Sequence, residues 1–260
     1  MNILDFHKPT LRVLKILELI DENSTDGLSL SEISEQLSLP KGTISPILKT
    51  LVATKYIQFN LETNRYAISY KSFELGLSFG GNTDILSTIQ AMMREIVASV
   101  GEICQMGTLS NLNVLYLLKE DPDNAISIVS NVGARLPAYA TGLGKALLSG
   151  KTDEQLRELY KDYFFRKYAK NTITDLDTLL VQLRQVRQDN LAYENEESKD
   201  EICCVAVPLV IDDEIKAALS VTVPKFRYSD EKRQLIIQEL QQKKQLIEDT
   251  CRVQNYHFDI

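Results

Sequence analysis

Apolar residues recur at helical spacing from the start of the chain. Leu11, Val13, Leu14, Ile16, Leu17 and Ile20 predict an amphipathic helix over residues 10–21, its stripe turned into a small core and one edge left for a partner subunit. Polar residues Asn23 to Gly27 end it. Ser29 and Glu32 have the spacing of a capping box, so a new helix starts there, with Ile33 and Leu37 on one face. Ser38-Leu39-Pro40 then makes a turn of the length that joins two short helices. In the next helix Ile44, Ile47, Leu48 and Leu51 point inward, which leaves Lys41, Thr43, Ser45 and Lys49 near its start or on its open side. From Tyr56 the period drops to two: Tyr56–Phe59 and Arg65–Ile68 read as strands, with residues 61–64 as a hairpin tip. Helix, turn, helix and hairpin in this order predict a winged helix-turn-helix. Its second helix meets DNA through Lys41, Thr43, Ser45 and Lys49, with Arg65 on the wing. The same pattern also suits a helical and hairpin subdomain that contacts protein.

After the wing, Tyr70 to Phe79 predicts a short helix ended by Gly80-Gly81-Asn82. Ile85, Leu86, Ile89, Met92, Met93, Ile96 and Val97 then predict a longer helix from Asp84 to about Ser99. Strand-like runs follow at Ile103–Leu109, Val114–Leu118 and Ile126–Val129. Helices are expected from Thr141 through Leu148, after a second capping box at Thr152 and Gln155, and over about Asp175–Gln188. Two consecutive strands, Ile202–Val210 and Ile215–Val223, precede a final helix from Ser229 to about Cys251. The fold class is therefore α+β: residues 1–69 as a winged helix-turn-helix domain, 70–83 as a linker helix, and 84–260 as a second domain with a mixed sheet flanked by helices.

Charge narrows this picture. The 260 residues carry a net charge of −7, so the protein does not coat nucleic acid; any DNA contact has to come from a local patch presented by a dimer. Residues 1–80 are nearly balanced, with eight Lys and Arg against nine Asp and Glu, but residues 41–71 hold five basic residues against Glu62 alone. Phosphates would lie there. Nothing near the start resembles a signal peptide and no segment approaches a membrane span. Four cysteines, at 104, 203, 204 and 251, make no disulfide framework, and a reducing cytoplasm is expected.

At this point the chain resembles the IclR-type transcriptional regulators over nearly its whole length. The likeness is carried by the winged helix from Leu28 to Ile68, by Lys71-Ser72-Phe73-Glu74-Leu75-Gly76, and by Val132-Gly133-Ala134-Arg135-Leu136-Pro137 leading into Ala140-Thr141-Gly142-Leu143-Gly144-Lys145-Ala146-Leu147-Leu148. Cys204-Val205-Ala206-Val207-Pro208 followed by Ala217-Ala218-Leu219-Ser220-Val221-Thr222 completes it. The resemblance implies a homodimer, often paired into a tetramer, that binds operator DNA through the N-terminal domain. It also implies a GAF-like, mixed α/β C-terminal domain that binds a small carboxylate effector at positions matching Gly142, Leu143, Glu194, Cys204, Ser220 and Thr222, with Ile128 and Leu136 as an apolar wall. The sequence departs from the family pattern at five places. Glu194 stands for an aspartate, Tyr139 for a histidine, Glu201 for a glycine, and Gly42 and Pro46 for a serine and an arginine.

Elementary chemistry bears on the same residues. A glycine turn that opens a helix lets an anion approach free N–H groups, and Ser220 and Thr222, two apart on a strand, both face one side and carry hydroxyl donors. They equally suit the outer face of a strand. Residues 142–146 lack the spacing and the terminal GK[ST] of a phosphate loop. An enzyme would have to use Cys204 as nucleophile or Glu194, Glu196 and Glu197 as acids and bases. Yet the histidines are His7 and His257, near the two ends, so neither a Cys–His pair nor a metal set assembles. No catalytic residue, metal or cofactor is expected. A metabolite sensor that has lost DNA binding is the alternative that Gly42 and Pro46 favour.

Overall fold

The structure, a computed structural model, describes residues 6–23, 26–79, 83–123, 131–254 and 256. The chain divides into two compact units, residues 1–83 and 84–260.

In the first unit α1 (Lys8–Glu22) buries Ile16 and Ile20 completely. Both halves of the Ser29–Glu32 capping box form at the start of α2 (Leu30–Gln36). Pro40, with extended backbone, immediately precedes α3 (Lys41–Ala53) and gives it no side-chain cap. β1 (Ile57–Asn60) and β2 (Arg65–Ile68) pair antiparallel from Ile57–Ile68 to Asn60–Arg65, and Leu28 makes a further bridge to Tyr66. Ile16, Ile20, Leu28, Ile33, Ile44, Leu48, Leu51 and Ile57 form one core. Pro46 lies inside α3, which begins at Lys41 and runs through it. An interior proline loses one helical hydrogen bond and costs roughly 3 kcal/mol. Burial of Ile44, Leu48 and Leu51 contributes roughly 1.5–3 kcal/mol each and outweighs that cost. α4 (Tyr70–Phe79) follows β2.

The second unit opens with α5 (Thr83–Val100), β3 (Ile103–Ser110), β4 (Asn113–Glu120) and β5 (Arg135–Pro137). A short 3-10 turn over Ala138–Ala140 leads into α6 (Gly142–Leu148), then α7 (Asp153–Leu159) and α8 (Leu176–Asp189). β6 (Ala192–Asn195), β7 (Ile202–Ile211), β8 (Glu214–Pro224) and α9 (Asp230–Val253) follow. Thr152 and Gln155 form their capping box, and Asp175 and Ser229 cap α8 and α9. The six strands lie in the order β5-β4-β3-β8-β7-β6. Every pairing between them is antiparallel, where the sequence pattern suggests a mixed sheet. The short edge strands β5 and β6 escape the sequence reading. The expected strand Ile126–Val129, with Ile128, lies outside the described residues.

β7 and β8 are apolar almost throughout because both faces of the sheet are covered. Val205, Val207 and Leu209, with Leu219, Val221 and Val223, pack on α5 and α9 through Ile89, Met93, Ile96, Ile236 and Leu240. Ala206 and Ala218 point the other way, against α6 and α8. That second face is built of small residues, and the room they leave is the cavity described next.

Candidate ligand cavity and nucleic-acid interface

On α3, Lys41 and Lys49 are exposed, and Thr43 and Ser45 are half-buried. Lys41 Nζ donates to Ser31 Oγ on α2 at 2.8 Å; such an exposed bond is easily exchanged for a phosphate. Arg65 is engaged within its own unit. Its guanidinium donates to Gly27 O at 2.7 Å and to Glu32 Oε1 at 2.9 Å, tying β2 to the first turn of α2. Glu32 is held below the usual carboxylate range by the Ser29 N–H first, then by the Ser29 hydroxyl and Arg65. The expected wing cation thus braces the wing. At the tip, Asn60 Oδ1 accepts from Glu62 N and Thr63 N, and Asn64 takes a positive φ of 56°.

In the second unit a cavity of about 130 Å³ opens between α6 and the small-residue face of the sheet. It falls below the 300–1,000 Å³ typical of drug-sized ligands, so it suits a small metabolite. Gly142 and Leu143 line it from α6, Glu194 from β6, Cys204 from β7, Ser220 and Thr222 from β8, and Leu136 from β5. All the sequence-derived cavity positions among the described residues therefore converge. Gly142 lies close to β7: a Cβ there would stand 2.8 Å from Cys204 Sγ, at the end of that side chain. Gln105, Tyr116, Thr141, Ser198, Lys199 and Ile202 complete the lining and were not identified from sequence. Gln105 stands opposite Ser220 and Tyr116 opposite Gly107 in the sheet register, a pairing that only the fold reveals.

The hydroxyls differ in what they offer. Thr222 Oγ1 donates to Gln105 Oε1 at 3.2 Å, so its proton is engaged and only its lone pairs remain. Ser220 Oγ is buried with no hydrogen-bond partner. Thr141 Oγ1 accepts from Gly144 N at 3.0 Å and closes the first turn of α6.

Glu194 is 3% exposed. Its Oε1 accepts from Glu197 N at 2.7 Å, from Ser198 N at 3.1 Å and weakly from Ser198 Oγ at 3.4 Å. Burial nevertheless dominates and pushes its carboxyl from 4.5 up to about 7. Between these values the unfolded chain has lost the proton while the folded one keeps it, so this group's contribution to stability falls as pH rises. Glu194→Gln is expected to match the parent near pH 4 and to exceed it by roughly 2–3 kcal/mol near pH 8. Denaturant unfolding across that range checks this; a difference that does not change with pH would disprove it.

Other singled-out residues have structural work. Burial, then Glu194, pushes the Cys204 thiol up to about 12, so it is protonated at neutral pH and is no thiolate nucleophile. Glu196 pairs with Lys170 and Lys225, and Glu197 with Lys145. The three glutamates thus have three separate environments. Gly144 does not line the cavity; it packs on the backbone of Ala138. Tyr139 is fully buried, donates to Arg166 O at 2.7 Å and packs edge-on against Tyr163 and Phe165. Glu201 sits at φ 62°, which glycine adopts without strain. Among the described residues no three metal-ligating side chains come together.

A winged helix-turn-helix and a separate unit with a small cavity lined by apolar residues and a few polar groups define the class of a ligand-responsive DNA-binding protein. Family models match both parts: the IclR helix-turn-helix domain over residues 9–60 and the bacterial transcriptional regulator IclR C-terminal domain over residues 79–248. The HTH-type transcriptional regulator KdgR of Escherichia coli is 30% identical over 226 residues, covering 86% of this chain and 85% of the relative. XynR of the same organism is 30% identical over 232 residues, covering 89% and 92%. An IclR transcriptional regulator from Alicyclobacillus acidocaldarius superposes with a TM-score of 0.82 at 21% identity, covering 94% and 98%. An IclR homologue complexed with 4-hydroxybenzoate, from Microbacterium hydrocarbonoxydans, gives 0.78 at 21% identity, covering 94% and 99%. The chain belongs to the IclR family of bacterial transcriptional regulators, DNA-binding proteins with an effector-binding domain.

Proposed function

We propose that the protein is a cytoplasmic regulator that binds operator DNA as a dimer or tetramer and changes its affinity when a small organic acid enters the cavity between α6 and β8. The observation that carries this is the Ser220 hydroxyl, fully buried in the wall of the cavity and without a hydrogen-bond partner. A buried polar group left unpaired is destabilising, and a ligand oxygen would relieve it. The 4-hydroxybenzoate held by the structural relative is itself a carboxylic acid. Gly142, Leu143, Glu194, Cys204, Ser220, Thr222 and Leu136 surround the ligand in this reading, and Lys41, Thr43, Ser45 and Lys49 meet DNA, with Arg65 holding the wing. The coupling is linkage: the acid binds two arrangements of the oligomer unequally and alters the spacing of the paired α3 helices through residues 70–83.

The test is a mobility shift with DNA from upstream of the protein's own gene, over a salt series, with and without a panel of carboxylic acids. Specific binding that an acid alters supports the regulator, and Ser220→Ala is expected to remove the response while leaving DNA binding intact. An unchanged response in that variant rules out this cavity. Lys41→Ala with Lys49→Ala is expected to weaken operator binding and make the slope of log K against log salt shallower by about 1.8, for two phosphate contacts. An unchanged slope removes both from the interface. Absent DNA binding, with an acid still stabilising the protein against heat, would identify a sensor that has lost its operator.

A further inference from the structure

The hydrogen-bonding pattern of the cavity limits what kind of acid it accepts. Glu194 lines it with one oxygen saturated: Oε1 takes the bonds from Glu197 N, Ser198 N and Ser198 Oγ. Its other oxygen, Oε2, accepts no hydrogen bond among the described residues. Ser220 Oγ is also unpartnered and 0% exposed, and Thr222 offers only lone pairs because its proton goes to Gln105. Cationic relief is scarce. Lys145 Nζ is occupied behind the cavity by both oxygens of Glu197 and by Gln182, and Lys199 stands exposed at the rim. While Glu194 is ionised, above the value of about 7 to which burial brings it, a ligand made only of acceptors would satisfy Ser220 but bring its lone pairs and negative charge against the Glu194 carboxylate. In a buried site such an opposition is strongly unfavourable.

We propose that Glu194 is the specificity determinant of the cavity and that it selects small acids carrying a hydrogen-bond donor, a hydroxyl or an ammonium group, beside the carboxylate. This rests on the reading of the cavity as the effector site. The carboxylate accepts a hydrogen bond from Ser220 Oγ and the donor gives one to Glu194 Oε2, so both unpartnered groups are satisfied by one molecule. Glu194 supplies an obligate acceptor once ionised, and that charge-assisted bond is the source of the preference.

The experiment is calorimetric titration of the full chain at about pH 8, above the value of about 7 to which burial brings Glu194. Two matched series serve as ligands: lactate, alanine, pyruvate and propionate; and 3-hydroxybutyrate, 3-aminobutyrate, acetoacetate and butyrate. Within at least one series the hydroxy or amino acid is expected to bind at least tenfold tighter, roughly the worth of one charge-assisted hydrogen bond, than its keto and unsubstituted counterparts. Comparison of those two arms decides between hydroxyl and ammonium. Glu194→Gln, whose amide both donates and accepts, is expected to bring the keto acid to within about threefold of the preferred ligand. Glu194→Asp, which keeps the charge, is expected to retain the preference at lower affinity. Keto or unsubstituted acids that bind as tightly as the donor-bearing ones, or a preference untouched by Glu194→Gln, would overturn the proposal and leave the effector cavity standing. No binding by any acid, together with a Ser220→Ala variant whose DNA response is unaltered, would overturn both.

Discussion

Gly144→Ala is expected to destabilise the second unit by at least about 3 kcal/mol, at or beyond the upper end of what overpacking usually costs. The cause is a contact that no rotamer change can relieve. A Cβ on Gly144 would stand 2.1 Å from the carbonyl oxygen of Ala138, 2.3 Å from its Cα and 2.5 Å from its carbonyl carbon. Those atoms belong to the 3-10 turn that feeds α6, so either the turn or the helix has to move. Moving the helix takes Gly142, Leu143 and the Thr141 cap with it. The better helix propensity of alanine returns only about 1 kcal/mol. Gly142→Ala is the matched control. Its Cβ meets the end of a side chain, Cys204 Sγ at 2.8 Å, next to the cavity. It is expected to cost at most about 1 kcal/mol and to abolish ligand binding by filling the space. Chemical denaturation of the two variants separates these effects. A Gly144→Ala protein within about 1 kcal/mol of the parent would mean that the turn yields easily.

Much of this was legible in the sequence wherever the cause is local. The Ser29–Glu32 and Thr152–Gln155 boxes and the stripe Ile44, Leu48, Leu51 involve residues a few positions apart, and each appears as read; the helices expected from about Asp175 and Ser229 start there, each with that side chain as its cap. The edge strands were not legible. β5 has three residues and β6 four, too few for an alternating pattern to emerge, and each is a strand because a neighbour offers it a partner. The period within β7 and β8 was hidden for a different reason. With both faces covered, charged residues vanish, and Cys204, Ala206, Ser220 and Thr222 stand out from Val205, Val207, Leu219 and Val221 only by small size or a hydroxyl. The cavity is written in that difference of volume. Ser220 and Thr222 could be paired by their spacing of two, but the engagement of Thr222 with Gln105 depends on β3 lying beside β8, over a hundred residues away in sequence. Likewise the run containing Glu194, Glu196 and Glu197 carries no local sign of which carboxylate is paired and which faces a cavity.

That last distinction carries the other large expected effect. Lys145 and Glu197 form a buried ion pair, their side chains 1% and 7% exposed, with Nζ 2.7 and 2.9 Å from the two carboxylate oxygens. Gln182 Oε1 on α8 takes a further Nζ proton at 2.8 Å. Asn195 N reaches Glu197 Oε1 at 3.3 Å and Thr172 Oγ1 donates to Glu197 O at 2.6 Å. The pair therefore joins α6, α8 and the loop after β6 directly behind the cavity. Lys145→Met removes the cation and leaves Glu197 buried with its charge uncompensated, which is expected to cost roughly 3–5 kcal/mol. For a unit of this size that lowers the unfolding midpoint by roughly 10 °C. The double variant Lys145→Met with Glu197→Leu removes both charges together and is expected to recover more than half of the loss, because the pair's desolvation penalty disappears with it. Paired melting curves decide between this account and simple loss of packing, in which the double variant would be worse than either single one. The ligand site gives a second readout. Glu197 N and Ser198 N hold Glu194 Oε1 from the same loop, so once the tether to α6 is gone, acid binding should stay weak in the double variant even where stability returns. Stability can be rebuilt there with apolar volume, whereas the placement of Glu194 depends on the loop that Lys145 holds.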